Sequence, residues 1–308
     1  MTESIPPLEF TGERFTPECV REIWYEHWHR YAFACSFAVG KRVLDAACGE
    51  GYGSALLAGT AASVLGIDIA DAAIGHAQAR YATQANLAFA RGDCTALEVP
   101  AASFDLVVSF ETLEHVAAQE ALIAGCAKAL TDDGMLIVSS PDKRTYSDAS
   151  GFRNEFHVRE LYRDELLALL GTHFPHVRLY GQKLLFQSAI WSLDSMPQRV
   201  LAQTLAAGKL TPRAGLDYEP LYFIALCSRK PLPEDMPELA VFGDREESVY
   251  RHYNDEVRKN MRGGARIAEL ETEMFALRAA SNCAPAEPQS SPAHDGSKRS
   301  WWQRFKGR

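Results

Sequence analysis

The stretch that most constrains this chain is Val43-Leu44-Asp45-Ala46-Ala47-Cys48-Gly49-Glu50-Gly51-Tyr52-Gly53-Ser54, followed at once by Ala55-Leu56-Leu57-Ala58. An apolar run suited to a buried parallel strand breaks at three glycines and resumes as an alanine and leucine run suited to a helix. Glycine permits backbone angles and close approaches that a Cβ forbids, so the pattern reads as strand, tight turn, helix. Such a turn offers backbone N–H groups and a helix N-terminus to a ligand. The glycines at 49, 51 and 53 depart from the G-x-G-x-x-G spacing of dinucleotide-binding turns. Asp45 stands just before them, and a carboxylate there repels a pyrophosphate and favours a ligand carrying a free ammonium.

Two more acids fall at the ends of apolar runs. Asp68 closes Val64-Leu65-Gly66-Ile67, 23 positions after Asp45, where a ribose-binding acid is expected about 20 residues on. Asp93-Cys94 follows Leu87-Ala88-Phe89-Ala90, where a third strand would deliver an adenine contact. S-adenosylmethionine carries an ammonium, a ribose and an adenine together. In family order, Val43 to Gly53, Gly66-Ile67-Asp68, Gly92-Asp93-Cys94, Phe104-Asp105-Leu106-Val107-Val108-Ser109-Phe110 and Asp133-Gly134-Met135-Leu136-Ile137-Val138 resemble the successive motifs of class I S-adenosylmethionine-dependent methyltransferases. Ala47 stands where many members carry the first glycine. The resemblance implies an α/β, Rossmann-like fold: a mostly parallel seven-stranded sheet with helices on both faces, plus a C-terminal helix and a disordered tail. It also implies a cofactor site. Asp45 and the loop from Gly49 through Gly51 to Gly53 surround the methionine and ribose, with Ala46 and Cys48 in the same set. Asp68, followed by Ile69, meets the ribose hydroxyls, Asp93 and Cys94 lie at the adenine, and Phe110 and Glu111 line the cavity.

With 308 residues and 47% hydrophobic content, the chain is long enough for a large core with appendages. A formal charge of −8 and a pI near 5.6 argue against nucleic acid as the main partner. Seven cysteines, at 19, 35, 48, 94, 126, 227 and 283, form no C-x-x-C pair and suit a reduced, cytoplasmic setting. The N-terminus has no signal-peptide pattern and no run is apolar enough to span a bilayer. Four divisions are expected. Residues 1–40 form an N-terminal helical cover of the cofactor site, and 41–230 form the methyltransferase domain with an insertion at 184–217. A linker and charged helix follow at 231–280, then a disordered basic, aromatic tail at 281–308.

Ahead of the glycine loop, Phe10-Thr11-Gly12-Glu13-Arg14-Phe15-Thr16-Pro17 reads as a loop, and Glu22 to Phe37 as a helix dense in aromatics. Trp24, Trp28 and Tyr31 share one side by helical spacing and suit packing on the sheet edge. Glu13, Arg14, His27 and Tyr31 are candidates to cover the ligand and bind its carboxylate. Thr11 to Phe15 and Tyr25-Glu26-His27-Trp28-His29-Arg30-Tyr31 also resemble a subgroup of these methyltransferases associated with bacterial surface-polysaccharide (O-antigen or lipopolysaccharide) synthesis, as does Asn154-Glu155-Phe156-His157-Val158-Arg159-Glu160. That narrower resemblance implies a sugar hydroxyl on a cell-surface glycan or its precursor as acceptor.

After the glycine loop, alternation predicts a helix over Ala70–Tyr81, strands over Asn86–Arg91 and Phe104–Phe110, a helix over Ala117–Leu130 stopped by Asp132-Asp133-Gly134, and a strand over Met135–Ser139. A helix is then expected to open at Asn154, as its cap, and run through Leu170. Two further strands are read at Val177–Tyr180 and Leu221–Cys227. Ligands of such sheets bind beyond the carboxyl ends of the strands, so Phe110 to His115 are expected at the reaction cavity. His115 and His157 are the candidate general bases for a hydroxyl acceptor. Each has an equally simple structural alternative, as a histidine holding a turn. No ligand cluster for a metal stands out, so no metal is expected.

Ile267, Leu270, Met274 and Leu277 form a short heptad-like seam within 244–280, a candidate for homo-oligomer contact, with Gly263-Gly264 expected to break the helix. The end, Lys298 to Arg308, combines five cations with three aromatics, a candidate peripheral contact with the inner face of a membrane or with a partner protein. The composite expectation is an O-methyltransferase using S-adenosylmethionine on a glycan. A small-molecule or lipid methyltransferase and a non-catalytic cofactor-binding scaffold stand as alternatives.

Overall fold

The structure, a computed structural model, describes residues 22–185, 187, 202–206, 209–213, 216 and 218–282. The chain divides into two compact units, 1–249 and 250–308. In the first, α1 (Glu22–Ala38) leads into β1 (Arg42–Ala46), α2 (Tyr52–Ala58), β2 (Ser63–Asp68), α3 (Asp71–Arg80), β3 (Leu87–Arg91), β4 (Phe104–Ser109), α4 (Gln119–Ala129) and β5 (Leu130–Pro141). Next come α5 (Arg163–Gly171), β6 (His176–Gln182), a hairpin of β7 (Ala202–Ala206) and β8 (Lys209–Arg213), and β9 (Tyr222–Ser228). The main sheet has seven strands in the order β3-β2-β1-β4-β5-β9-β6. β1 to β5 pair in parallel, and β9 runs antiparallel between β5 and β6.

The strands read as unbroken apolar runs because both faces are covered. Val43, Leu106, Val108, Ile137, Ile224 and Leu226 enter one core with Tyr31, Tyr52 and Leu57. Their neighbours Leu44, Val107, Leu136, Val138, Ala225 and Cys227 enter a second core with Leu122, Ile123, Leu166 and Leu170. This is the two-residue alternation of a strand, sending successive side chains to opposite faces. α1 and α2 therefore cover one face and α4 and α5 the other.

Two expected elements differ. No helix opens at Asn154: residues 154–162 form turns and α5 begins only at Arg163, where the Glu165 carboxylate accepts the Tyr162 N–H at 2.9 Å. The carbonyls of Phe156 and Arg159 and the N–H groups of Val158 and Arg159 are used in hydrogen bonds to residues 114, 115 and 119 instead. Likewise Asp132-Asp133-Gly134 lies inside β5, because the strand starts at Leu130, which registers against Phe104. Residues 231–247 carry Met236 into the core and set Phe242 stacked on His29, edge-on to Tyr25 and tilted against Trp24 of α1.

α6 spans Ser248–Asn282 as one continuous helix, so Gly263-Gly264 does not break it. Each glycine costs about 1 kcal/mol relative to alanine, which the long flanking runs of Arg, Glu, Ala and Leu outweigh. Ile267, Leu270, Met274 and Leu277 are exposed along it. Among the described residues no helix is long and apolar enough to cross a membrane. Arg14, the insertion residues Phe186, Ile190, Trp191, Leu193 and Met196, and the tail from 283 onward lie outside the described residues.

Candidate functional site

The turn after β1 is built from left-handed backbone. Gly49 has φ 58° and Gly51 φ 89°, and Ala47 adopts φ 65° although it carries a Cβ. The residue standing in place of a glycine thus keeps a glycine-like conformation, at a steric cost of about 1–2 kcal/mol. At Gly53 space is the constraint: a Cβ there would lie 2.0 Å from Cζ of the Tyr31 ring. That ring packs on the start of α2, and its hydroxyl reaches both carboxylate oxygens of Asp45, at 3.2 and 3.3 Å. Ser54 donates to Asp45 Oδ2 at 2.6 Å. Asp45 is fully buried, and burial pushes its pKa up to about 7 against the hydrogen bonds from Ser54 and Tyr31.

Asp68 closes the loop from the next strand. Its Oδ2 accepts the Gly49 N–H and its Oδ1 the Ala70 N–H, each at 2.9 Å, while Cys48 N–H donates to the Ile67 carbonyl at 2.8 Å. Ile69, directly after it, is 63% exposed. Asp93, at the end of β3, accepts from Thr95 N–H and Oγ1 and so caps the 3-10 turn Cys94–Ala96. The Cys94 thiol is pushed up to about 11 by burial and by Asp93. Asp45, Asp68 and Asp93 therefore lie at the carboxyl ends of β1, β2 and β3, with Ala46 and Cys48 buried beneath the loop.

At the end of β4, Phe110 meets the Tyr31 ring edge-on with centroids 5.0 Å apart. Glu111 has φ 48°, a strained angle for a side-chain-bearing residue. Ser139 Oγ holds it, accepting its N–H at 3.0 Å and donating to its Oε1 at 2.6 Å. The same Oε1 is 3.5 Å from Nη2 of Arg30, a side chain 1% exposed. Arg30 also donates through Nε to Gln182 Oε1 at 2.8 Å and lies over the Tyr222 ring at 4.4 Å. Neither of its Nη atoms finds a hydrogen-bond partner among the described residues. Burial opposes the charge, but Glu111, Tyr222, Glu26 and Tyr52 hold the guanidinium pKa above its ordinary value. His27, by contrast, is driven well below its ordinary value by burial and by Arg30, so it is a neutral imidazole and Arg30 is the cation.

Arg30 was not among the residues singled out by sequence. Its signal is the straight ridge Glu26, Arg30, Ala34 and Ala38, four residues apart and all buried. The alanines mark the line along which α1 closes on the sheet. Glu50 is a second such residue, tied to His76, Arg80 and Tyr81 at 3.0, 3.4 and 3.3 Å, which pins the glycine loop to α3.

His115 and His157, 42 positions apart, meet with ring centroids 4.9 Å apart. His115 Nδ1 lies 3.0 Å from the Phe156 carbonyl and His157 Nδ1 lies 2.6 Å from Glu160 Oε1. Neither oxygen can donate, so both Nδ1 atoms carry the proton. The Glu114 carbonyl accepts the N–H groups of Val158 and Arg159 at 2.8 and 3.1 Å, drawing the two segments together. Glu114 itself is buried beside the histidines, its pKa raised by burial and by Glu111. A cavity bordered by His29, Asp142, Tyr162, Gln182 and Phe223 includes no residue of the glycine loop among its described lining.

The buried groups also provide a test of fit for a cofactor. A cation with unpartnered N–H groups suits a carboxylate, a carboxyl poised near neutral pH suits an ammonium, and Asp68 beside exposed Ile69 suits a ribose and a flat base. These residues fit an amino-acid-bearing nucleoside.

A mostly parallel seven-stranded sheet with a glycine turn and acids at successive strand ends defines a Rossmann-like α/β architecture. Residues 44–138 match the family described as methyltransferase domain. A Mycobacterium tuberculosis protein named a probable S-adenosylmethionine-dependent methyltransferase is 37% identical over 179 residues, covering 55% of this chain and 62% of that one. A similarly named Mycolicibacterium smegmatis protein is 37% identical over 171 residues, covering 54% and 64%. A ubiquinone biosynthesis O-methyltransferase of Idiomarina loihiensis is 35% identical over 123 residues, covering 39% and 50%. The chain thus matches less than two thirds of the length of these relatives.

Proposed function

We propose that this chain binds S-adenosylmethionine at the β1–α2 loop and transfers its methyl group to a hydroxyl of an acceptor held beyond the end of β4. The observation that carries the reading is the glycine turn between Asp45 and Asp68, whose carboxylates bond Tyr31 of α1 and the Gly49 N–H, with the buried Arg30 on the same helix α1, paired to Glu111 at the end of β4 and keeping Nη groups without a hydrogen bond among the described residues. Its relatives' names point the same way. The cofactor supplies an activated methyl on a sulfonium. The chain's own work is to bind, to align and to exclude water. In this reading Arg30 takes the carboxylate and Asp45 the ammonium of the methionine part. Asp68 and Ile69 take the ribose and base, with Asp93 and Cys94 at the adenine edge. Glu111 and Phe110 form the wall between cofactor and acceptor.

For the acceptor we favour a sugar hydroxyl of a cell-surface glycan or its precursor, supported by the resemblance of 11–15, 25–31 and 154–160 to the polysaccharide-associated subgroup. A phenolic small molecule is the second reading, favoured by the Idiomarina relative. Calorimetric titration with S-adenosylmethionine and S-adenosylhomocysteine tests the first step. The parent should bind both, and Asp68→Asn should lose at least about tenfold. A folded parent that binds neither overturns the proposal. Labelled methyl transfer to sugar nucleotides against polyhydroxylated aromatics then separates the two acceptor classes.

A further inference from the structure

The geometry points to a divalent metal site formed by Glu114, His115 and His157, at the acceptor side of the proposed methyl-transfer centre. One ligand-capable atom from each of these residues lies within 4.8 Å of the others. The set is two imidazoles and a carboxylate, the donors that zinc, manganese, cobalt and ferrous iron share.

Three independent features fit metal ligation better than a plain hydrogen-bonded cluster. First, both imidazoles are oriented from behind. Nδ1–H of His115 is held by the Phe156 carbonyl and Nδ1–H of His157 by the Glu160 carboxylate, which Ser147 Oγ in turn contacts. That arrangement leaves the lone pair on each Nε2 and is the usual support of a ligating histidine. Second, Glu114 is 1% exposed and its Oε2 has no hydrogen-bond partner among the described residues. A buried carboxylate oxygen without a donor is costly, and a cation satisfies it. Third, the ligand segments are fastened to each other through backbone, with the Glu114 carbonyl accepting from Val158 and Arg159. The site is therefore a built feature of the β4 end and the loop after β5.

Present spacings are wider than a loaded site requires. Bonds of about 2.1 Å place tetrahedral ligand atoms about 3.4 Å apart, whereas His115 Nε2 and Glu114 Oε1 are 3.8 Å apart. The Asn154 amide, now 3.0 Å from His157 Nε2, must also swing away. Small side-chain rotations on the order of 1 Å accomplish this, with Tyr146 remaining stacked on His157. Three protein ligands leave positions open, and a hydroxyl-bearing acceptor is the natural occupant, its O–H acidified by the cation. Neither histidine then acts as a free base. Metal binding stands on geometry alone; the acceptor role rests on the methyl-transfer reading.

The test uses the whole chain, freed of metal by a chelator, titrated calorimetrically with zinc and optically with cobalt. One ion should bind per chain, and the cobalt complex should show visible absorption of a nitrogen- and oxygen-ligated ion. His115→Ala and His157→Ala should each weaken binding by at least a hundredfold, and Glu160→Gln by roughly 10- to 100-fold through loss of ligand orientation. Exposed His173→Ala should leave it unchanged. Thermal unfolding of each variant checks that it is folded, and Glu160→Gln serves if a ligand variant is not. Absence of stoichiometric binding to the parent overturns the proposal, as does binding by His115→Ala and His157→Ala as tight as the parent's. S-adenosylmethionine titrated in parallel separates the two readings, since its failure to bind bears on the cofactor site alone.

Discussion

Cofactor binding should release a proton from Asp45, and the structure gives the amount. Burial lifts this carboxyl from 3.8 to about 7, a shift equivalent to about 4 kcal/mol of penalty on its charged form. An ammonium brought against it reverses that penalty and returns the pKa toward the ordinary carboxylate range. At pH 6 about nine in ten free molecules carry the proton, so binding S-adenosylmethionine should release about 0.9 proton per site. Affinity should rise about tenfold per unit from pH 5 to 7 and then level off, until the ligand's own amino group loses its proton near about 8. Calorimetry at pH 6 in buffers of different ionisation enthalpy reads the released proton directly. Asp45→Asn, which keeps the shape and the Ser54 contact, should abolish the release and flatten the profile. Zero release by the parent, or equal release by the variant, refutes the pairing. The sign for stability follows from the same group. Its folded pKa lies above its unfolded value, so its contribution is greatest below about 4 and is lost as pH rises through about 7. The parent should lose more stability than Asp45→Asn across that window.

Other outcomes follow from the packing. Ala47→Gly relieves the left-handed strain, worth about 1–2 kcal/mol, but frees the unfolded chain by about 0.4–1 kcal/mol; urea unfolding should show a net gain of about 0.5 kcal/mol or more, and a lower midpoint would contradict the reading. Gly53→Ala drives a methyl into the Tyr31 ring and should cost about 1–3 kcal/mol in the same assay. Combining it with Tyr31→Ala should cost less than the sum of the two changes. If the costs simply add, the ring is not the obstacle. Cys126 is fully buried with its thiol pushed up to about 12 by burial and by Cys94, and Cys227 is raised further. Mass-spectrometric mapping after brief alkylation of the folded chain should find both unmodified, and rapid labelling of either would contradict the packing.

Much of the fold was legible because its signals are local. Val43 to Ser54 announces strand, turn and helix by periodicity and glycine. Asp45, Asp68 and Asp93 are visible because each closes an apolar run. The misread regions are those where distant partners override local preference. Asn154 has the chemistry of a helix cap, but the segment after it is held from afar, with Val158 and Arg159 N–H donating to the Glu114 carbonyl and the Phe156 carbonyl meeting His115, so the helix waits until Arg163. Glu114-His115 and His157 show no metal-ligand spacing in one dimension. They become neighbours only when the β4 end and the loop after β5 are joined by backbone hydrogen bonds. Arg30 was hidden for the opposite reason. An arginine in an aromatic helix looks solvent-facing unless the alanine ridge beside it is noticed.

The contacts of Arg30 bear on how the molecule is made. Its Nε bonds Gln182, whose own amide donates to the Glu26 carbonyl at 2.9 Å, and its guanidinium lies over Tyr222. The first described helix is therefore fastened in part by the last strands of the main sheet. The glycine loop, its first acids and the Tyr31 contact of α1 can take shape while those strands are still being synthesised, but Arg30 lacks its full set of contacts until residue 222 has emerged. Such a long sequence separation makes completion of the Arg30 contacts a late event in folding. A nascent chain would complete the proposed cofactor site only when its sheet is complete, so ligand capture on the ribosome would report the end of domain assembly rather than its beginning.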